Sequence, residues 1–225
     1  HLNMMMAVLS SLNNWPNVRA VVSCRKYDLE YDSVLNSLKD KSTVIEIGEL
    51  AEEEVTIALN KLENGLGKKI DRVTAKMLRT VQMLDSFSLL FRRNKSKINF
   101  NNQIELYDAL WDTVICDSSP RSDVEMREHL MYKIVETIQI AGTLNPQFTP
   151  DSSQKRAYEY LASNGLIRRE GSAVSFFHQS FYEYALARHY SETGSLFSSD
   201  LKKEIQGLEI RSTVKAVLDF KRGYD

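Results

Sequence analysis

The run VRAVVSCR, residues 18–25, is apolar from Val18 to Val22 apart from Arg19. A stretch so rich in valine reads as a strand buried on both faces. The segment before it, HLNMMMAVLSSLNN, sets Leu2, Met5, Leu9 and Leu12 on one helical face, and Trp15-Pro16-Asn17 ends it, because proline disfavours helix in the residue before it. A second strand candidate, TVIEIGEL, follows after about twenty residues, the length of a crossover connection. Two parallel strands alone make no stable sheet, since they need cover on both faces and neighbours along an edge. Residues 1–50 are therefore expected to be the C-terminal part of an α/β domain whose other strands lie elsewhere. A cut chain would give the same pattern.

From Ala51 onward the rhythm is helical, in keeping with only 9 Gly and 4 Pro in 225 residues. AEEEVTIALNKL aligns Val55, Ala58, Leu59 and Leu62, with glutamates in the first turn where the helix dipole favours them. Asn64-Gly65 and Gly67 supply a stop. KIDRVTAKMLRTVQML and SFSLLFRR continue the helical pattern, and a polar loop, RRNKSKINFNN, follows. Ile104, Tyr107, Leu110, Trp111 and Val114 mark another amphipathic helix, and Leu130, Met131, Ile134, Val135 and Ile138 a further broad stripe. SSQKRAYEYLASNG then stops at Gly165, with Leu166 placed for the apolar contact that accompanies a glycine cap. LIRRE and AVSFF, turned at Gly171-Ser172, read as a two-stranded ribbon, and SFYEYALARHY as a helix leaving it. Helix, ribbon and helix suggest a winged-helix module.

A formal charge of −1 argues against binding a polyanion by bulk charge. Cys24 and Cys116 stand far apart and read as reduced, buried thiols, as in a cytoplasmic protein. The longest apolar run, MMMAVL, is far short of the roughly 18 residues of a membrane span. No partner at metal-ligand spacing accompanies His129, and His189 is expected to be exposed near a helix end.

The stretch AVSFFHQSFYEYALARHY resembles the end of the winged-helix domain of NACHT-type STAND ATPases, P-loop signalling and defence switches. Phe176, His178, Phe181, Glu183, Tyr184 and Ala187 carry that likeness. NVRAVVSCRKYD is similar to the family's sensor strand, with Ser23, Cys24 and Arg25 at its end; TVIEIGELAEEEVTIAL and ELYDALWD resemble segments of its helical lid. Two positions depart from the pattern: Ser86 stands where a proline near the adenine is usual, and Ala51 where Ser or Thr commonly starts a helix. No GxxxxGK[ST] loop and no apolar strand ending in an acidic pair occurs in the sequence, so this chain alone is not expected to hydrolyse ATP or hold a nucleotide tightly.

With that resemblance the expected fold class is mainly α. Residues 1–50 would be a C-terminal remnant of a parallel α/β P-loop sheet and 51–120 a helical lid. Residues 121–190 would form a winged-helix domain with a small ribbon, and 191–225 the start of a further helical domain. The resemblance implies ADP or ATP, with Mg²⁺, as the ligand of the parent protein. His178 would be the sensor of the terminal phosphate of ADP, and Arg25 would reach the γ-phosphate from the strand end, with Ser23 beside it. The implied partners are the P-loop half of the same protein and, on activation, further copies of it; no membrane is implied. Read without the resemblance, His178 can simply satisfy a strand-to-helix junction, and Arg25 can be a surface arginine beside Lys26. Two other functions fit the residues. Lys155, Arg156, Arg168 and Arg169 could carry a winged helix onto duplex nucleic acid, with affinity that falls steeply with salt. A helical protein-interaction scaffold without ligand is the third.

Overall fold

The computed structural model describes residues 2–12, 15, 17–24, 26–116, 120–193 and 208–222. The chain divides into two compact units, residues 1–48 and 49–225.

The first unit contains α1 (Leu2–Leu12), α2 (Lys26–Tyr31) and α3 (Ser33–Asn36), followed by a single 3₁₀ turn at Lys39–Lys41. Asp32 caps α3, its carboxylate accepting from the amides of Val34 and Leu35 at 2.9 and 3.0 Å. Residues 18–24 and 43–48 form no strand ladder among the described residues. Their side chains are open to solvent, Val21 at 98%, Ile45 at 81% and Ile47 at 92%. The valine pattern favours a strand, but a strand is completed by a neighbour's amides and carbonyls, and neither run has one among the described residues. Cys24, expected to be buried, is exposed for the same reason.

The second unit is helical, with one small hairpin. It runs α4 (Glu52–Leu62), α5 (Leu66–Lys69), α6 (Arg72–Met77), α7 (Val81–Phe91), α8 (Gln103–Val114), α9 (Arg121–Ala141) and α10 (Lys155–Ser163). Then come β1 (Ile167–Glu170), β2 (Ala173–Phe176), α11 (Gln179–Thr193) and α12 (Leu208–Arg222). Ala51 has no acceptor for the amides of α4, so only the reciprocal half of a capping box forms: the Glu54 carboxylate accepts from the Ala51 amide at 2.8 Å. Within the helical segment KIDRVTAKMLRTVQML the chain breaks between α6 and α7 without a glycine or proline. There the Leu50 amide donates to the Arg79 carbonyl and Arg79 Nε donates to the Leu50 carbonyl, both at 2.8 Å, so the entry to α4 takes over backbone and side chain of the break. The caps of α6 and α8 are Asp71 and Asn102, which accept from Thr74 N at 2.7 Å and Glu105 N at 2.9 Å.

One apolar core extends from Val55 in α4 to Phe220 in α12 and crosses residues 120 and 190 without a break. α8 lies across it: Tyr107 meets Phe181 of α11 edge-on at 5.2 Å, and Trp111 faces Tyr132 of α9 at 5.7 Å. α9 is joined to its neighbours by Arg127, buried to 4%, whose Nη1 donates to the Ile115 carbonyl at 3.2 Å while its guanidinium lies 3.7 Å from the centre of the Tyr160 ring. β1 and β2 pair antiparallel, Ile167 opposite Phe176 and Glu170 opposite Ala173. Gly171 takes φ +63° at the first of the two turn residues, a placement that suits a tight hairpin. The chain at Pro146–Phe148 flanks β2: Val174 N donates to Pro146 O and Phe148 N to Ser172 O. α11 is buried on nearly every side, with Phe181, Ala185, Leu186 and Ala187 each at most 1% exposed. Val217 and Phe220 of α12 are buried too, Phe220 meeting the Tyr184 ring at 5.6 Å.

Candidate functional site

His178 stands between β2 and α11, and its main chain is fixed from both sides. The amide before it, Phe177 N, donates to Leu166 O at 3.1 Å. The His178 carbonyl accepts from the amides of Phe181 and Tyr182 at 3.2 Å, which starts α11. Its ring leans on Phe177, 4.7 Å between centres, and the side chain is 18% exposed. Across from it, Asp85 on α7 places a carboxylate oxygen 2.9 Å from His178 Nε2, and the Asp85 side chain is 56% exposed. An ionised carboxylate only accepts, so Nε2 carries the proton.

Behind this pair the polar groups are enclosed. Ser86, completely buried, turns its hydroxyl back to the Gln82 carbonyl at 2.8 Å within α7. The Tyr107 hydroxyl shares a 2.7 Å hydrogen bond with Ser180, the second residue of α11. Burial pushes the Tyr107 phenol up to about 12, against the opposing pull of the Ser180 and Ser86 hydroxyls. Gln179 donates to Glu183 at 2.9 Å along the same helix. The junction is thus a fixed imidazole, one outward carboxylate and a closed polar backing.

A second polar group lies farther along α11 around Arg188. Tyr184 donates to Asp108 at 2.6 Å and accepts from Arg188 Nη1 at 3.2 Å. The guanidinium rests 4.8 Å from the centre of the Trp111 ring. Its Nε is 2.8 Å from Glu192 but off the hydrogen-bonding direction, so the two form an ion pair rather than a directed bond. Burial opposes the charge on Arg188, yet the facing Tyr184 and Glu192 oxygens hold its pKa above the ordinary arginine value. Burial, then the Asp108 hydrogen bond, raises the Tyr184 phenol. On the far side, Tyr132 donates to Glu192 at 2.5 Å and its ring meets that of His189 at 4.7 Å, tilted by 33°. His189, expected to be exposed, is only 14% exposed, because α9 offers it both that ring and Glu136, 3.2 Å from its Nε2. Cys116 is half-buried; burial and then the nearby Glu128 carboxylate push its thiol up to about 11, so it is a poor nucleophile.

Of the residues expected at a site, His178 is placed with Asp85, a partner that spacing along the sequence did not suggest. Ser23 is exposed in the first unit, and Arg25 lies outside the described residues. Lys155, Arg156, Arg168 and Arg169 are all exposed, but Arg156 pairs with Asp123 at 3.2 Å and Arg169 lies over the Tyr158 ring at 5.8 Å. Among the described residues no group of three or more His, Cys, Asp or Glu could hold a metal ion, and no helix is long and apolar enough to cross a membrane. The sequence matches no family model and no curated protein.

Proposed function

We propose that this chain is the regulatory part of a nucleotide-dependent signalling or defence switch of the NACHT STAND type. In this reading residues 51–120 are the lid, and 121–190 the winged helix, with α10 and the β1–β2 ribbon as its helix and wing. They close on ADP at rest and swing outward for self-assembly with ATP. The observation that carries the reading is the position of His178: a fixed, partly exposed imidazole whose Nε2 reaches across from the start of α11 to α7 of the lid. A donor there can prefer one phosphate state over another, and that difference is what shifts a two-state equilibrium.

The nucleotide fits this chain only in part. His178, with Arg25 and Ser23 by resemblance, could address terminal phosphates. The sequence holds no loop to cradle them and no acidic pair for Mg²⁺, and the P-loop half of the same protein would supply both. Because lid and winged helix share one core, they move in this reading as one body. The nucleic-acid reading stands second, since Glu159 and Glu170 interrupt the exposed cations of α10 and the ribbon.

The test uses the full-length protein. His178→Ala is expected to shorten ADP retention, measured by release of a fluorescent ADP analogue, and to shift the protein toward assemblies on light scattering. Unchanged ADP occupancy together with unchanged size would overturn the sensor role, and an upstream coding sequence without a P-loop lysine would remove the ATPase assignment.

A further inference from the structure

Resting on the switch reading above, we infer that Asp85 is a built-in competitor for the sensor histidine: its carboxylate occupies His178 Nε2, and a nucleotide phosphate must displace it. The contact is 2.9 Å long and joins α7 to the junction before α11, between residues 93 apart in sequence. A single N–H on Nε2 serves one strong acceptor at a time, so carboxylate and phosphate exclude each other there.

The two partners are unequally held. Backbone hydrogen bonds on either side fix His178, and the Phe177 ring flanks its imidazole. Asp85 projects from the outer face of α7 with more than half of its side chain exposed, so a change of rotamer takes it away with little loss of hydration. Displacement therefore moves the aspartate and leaves the histidine in place. Asp85 also repels an incoming phosphate by its charge. The neighbouring Ser86 points the opposite way, into the core, and contributes nothing to this exchange.

Two measurements separate the inference from the reading beneath it. In the 225-residue chain at neutral pH, long-range ¹H–¹⁵N spectra of the imidazoles should show His178 hydrogen-bonded through Nε2, with Asp85→Ala shifting that nitrogen's resonance. A His178 spectrum indifferent to Asp85→Ala would overturn the inference. In the full-length protein, Asp85→Ala should tighten ADP binding about fivefold, the gain from freeing a donor held by a weak, partly exposed pair. Asp85→Asn, which keeps an acceptor without the charge, should fall between. If ADP binds with the same affinity in all three forms, the competition is wrong and the switch reading survives. Failure of ADP to bind even the wild-type full-length protein would overturn both.

Discussion

Thr74 is a fully buried hydroxyl used twice, donating to the Phe100 carbonyl at 3.1 Å and accepting from the Phe100 amide at 2.7 Å. It joins α6 to the loop that enters α8, two segments with no ladder between them. Thr74→Val keeps the shape and removes both bonds, leaving a buried amide and carbonyl without this partner. The expected loss is about 2 kcal/mol in urea unfolding, with Thr74→Ser retaining most of the stability. Such pairings explain what the sequence exposed and what it hid. The aromatic run FYEY is legible as core because it stands in an apolar helix, and Phe181, Tyr182 and Tyr184 are all buried. Asp85 gave no signal: an aspartate on the outer face of a helix looks like any solvated residue until the fold brings a histidine to it. The Arg188 cluster was hidden in the same way, since Asp108, Tyr132 and Trp111 come from two other helices.

Among the elements, the helices were the most readable, because each apolar stripe is written locally at a spacing of three and four residues. The ribbon was readable too, from Gly171-Ser172 between the short runs LIRRE and AVSFF. The break between α6 and α7 was not, since its cause is Leu50, nearly thirty residues earlier. Where a glycine does end a helix, it is constrained. Gly165 closes α10 at φ +77°, and a Cβ there would stand 3.5 Å from Leu89 of α7, an ordinary contact. The penalty of Gly165→Ala is therefore conformational rather than steric, about 1–2 kcal/mol, seen as a lower thermal midpoint with the native circular-dichroism spectrum retained. A much larger loss would mean that the approach of α7 to this turn is tighter than its geometry implies.

At the scale of the molecule, burial of phenols makes the second unit sensitive to alkali. Tyr107 ionises near 10.0 when unperturbed and is pushed up to about 12 by burial in the fold. Between those values the folded form keeps a proton that the unfolded chain has lost, so stability declines as pH rises. The contribution is complete below about pH 10 and is lost toward pH 12; for this one group it amounts to about 2–3 kcal/mol. Tyr132 and Tyr184, also raised by burial, act in the same direction. Urea midpoints should therefore be flat near neutrality and fall above about pH 10, with a shallower fall in Tyr107→Phe. An unaltered slope in that variant would remove Tyr107 from the explanation.

The first unit behaves differently for a simple reason. Of its described side chains only Leu35 is buried. Fixing each backbone residue costs about 1–2 kcal/mol, and one enclosed leucine returns only about 2. With Val21, Ile45 and Ile47 open to solvent, this region has little apolar burial to set against that cost, and it is expected to lose its shape at lower urea than the helices beyond Glu49.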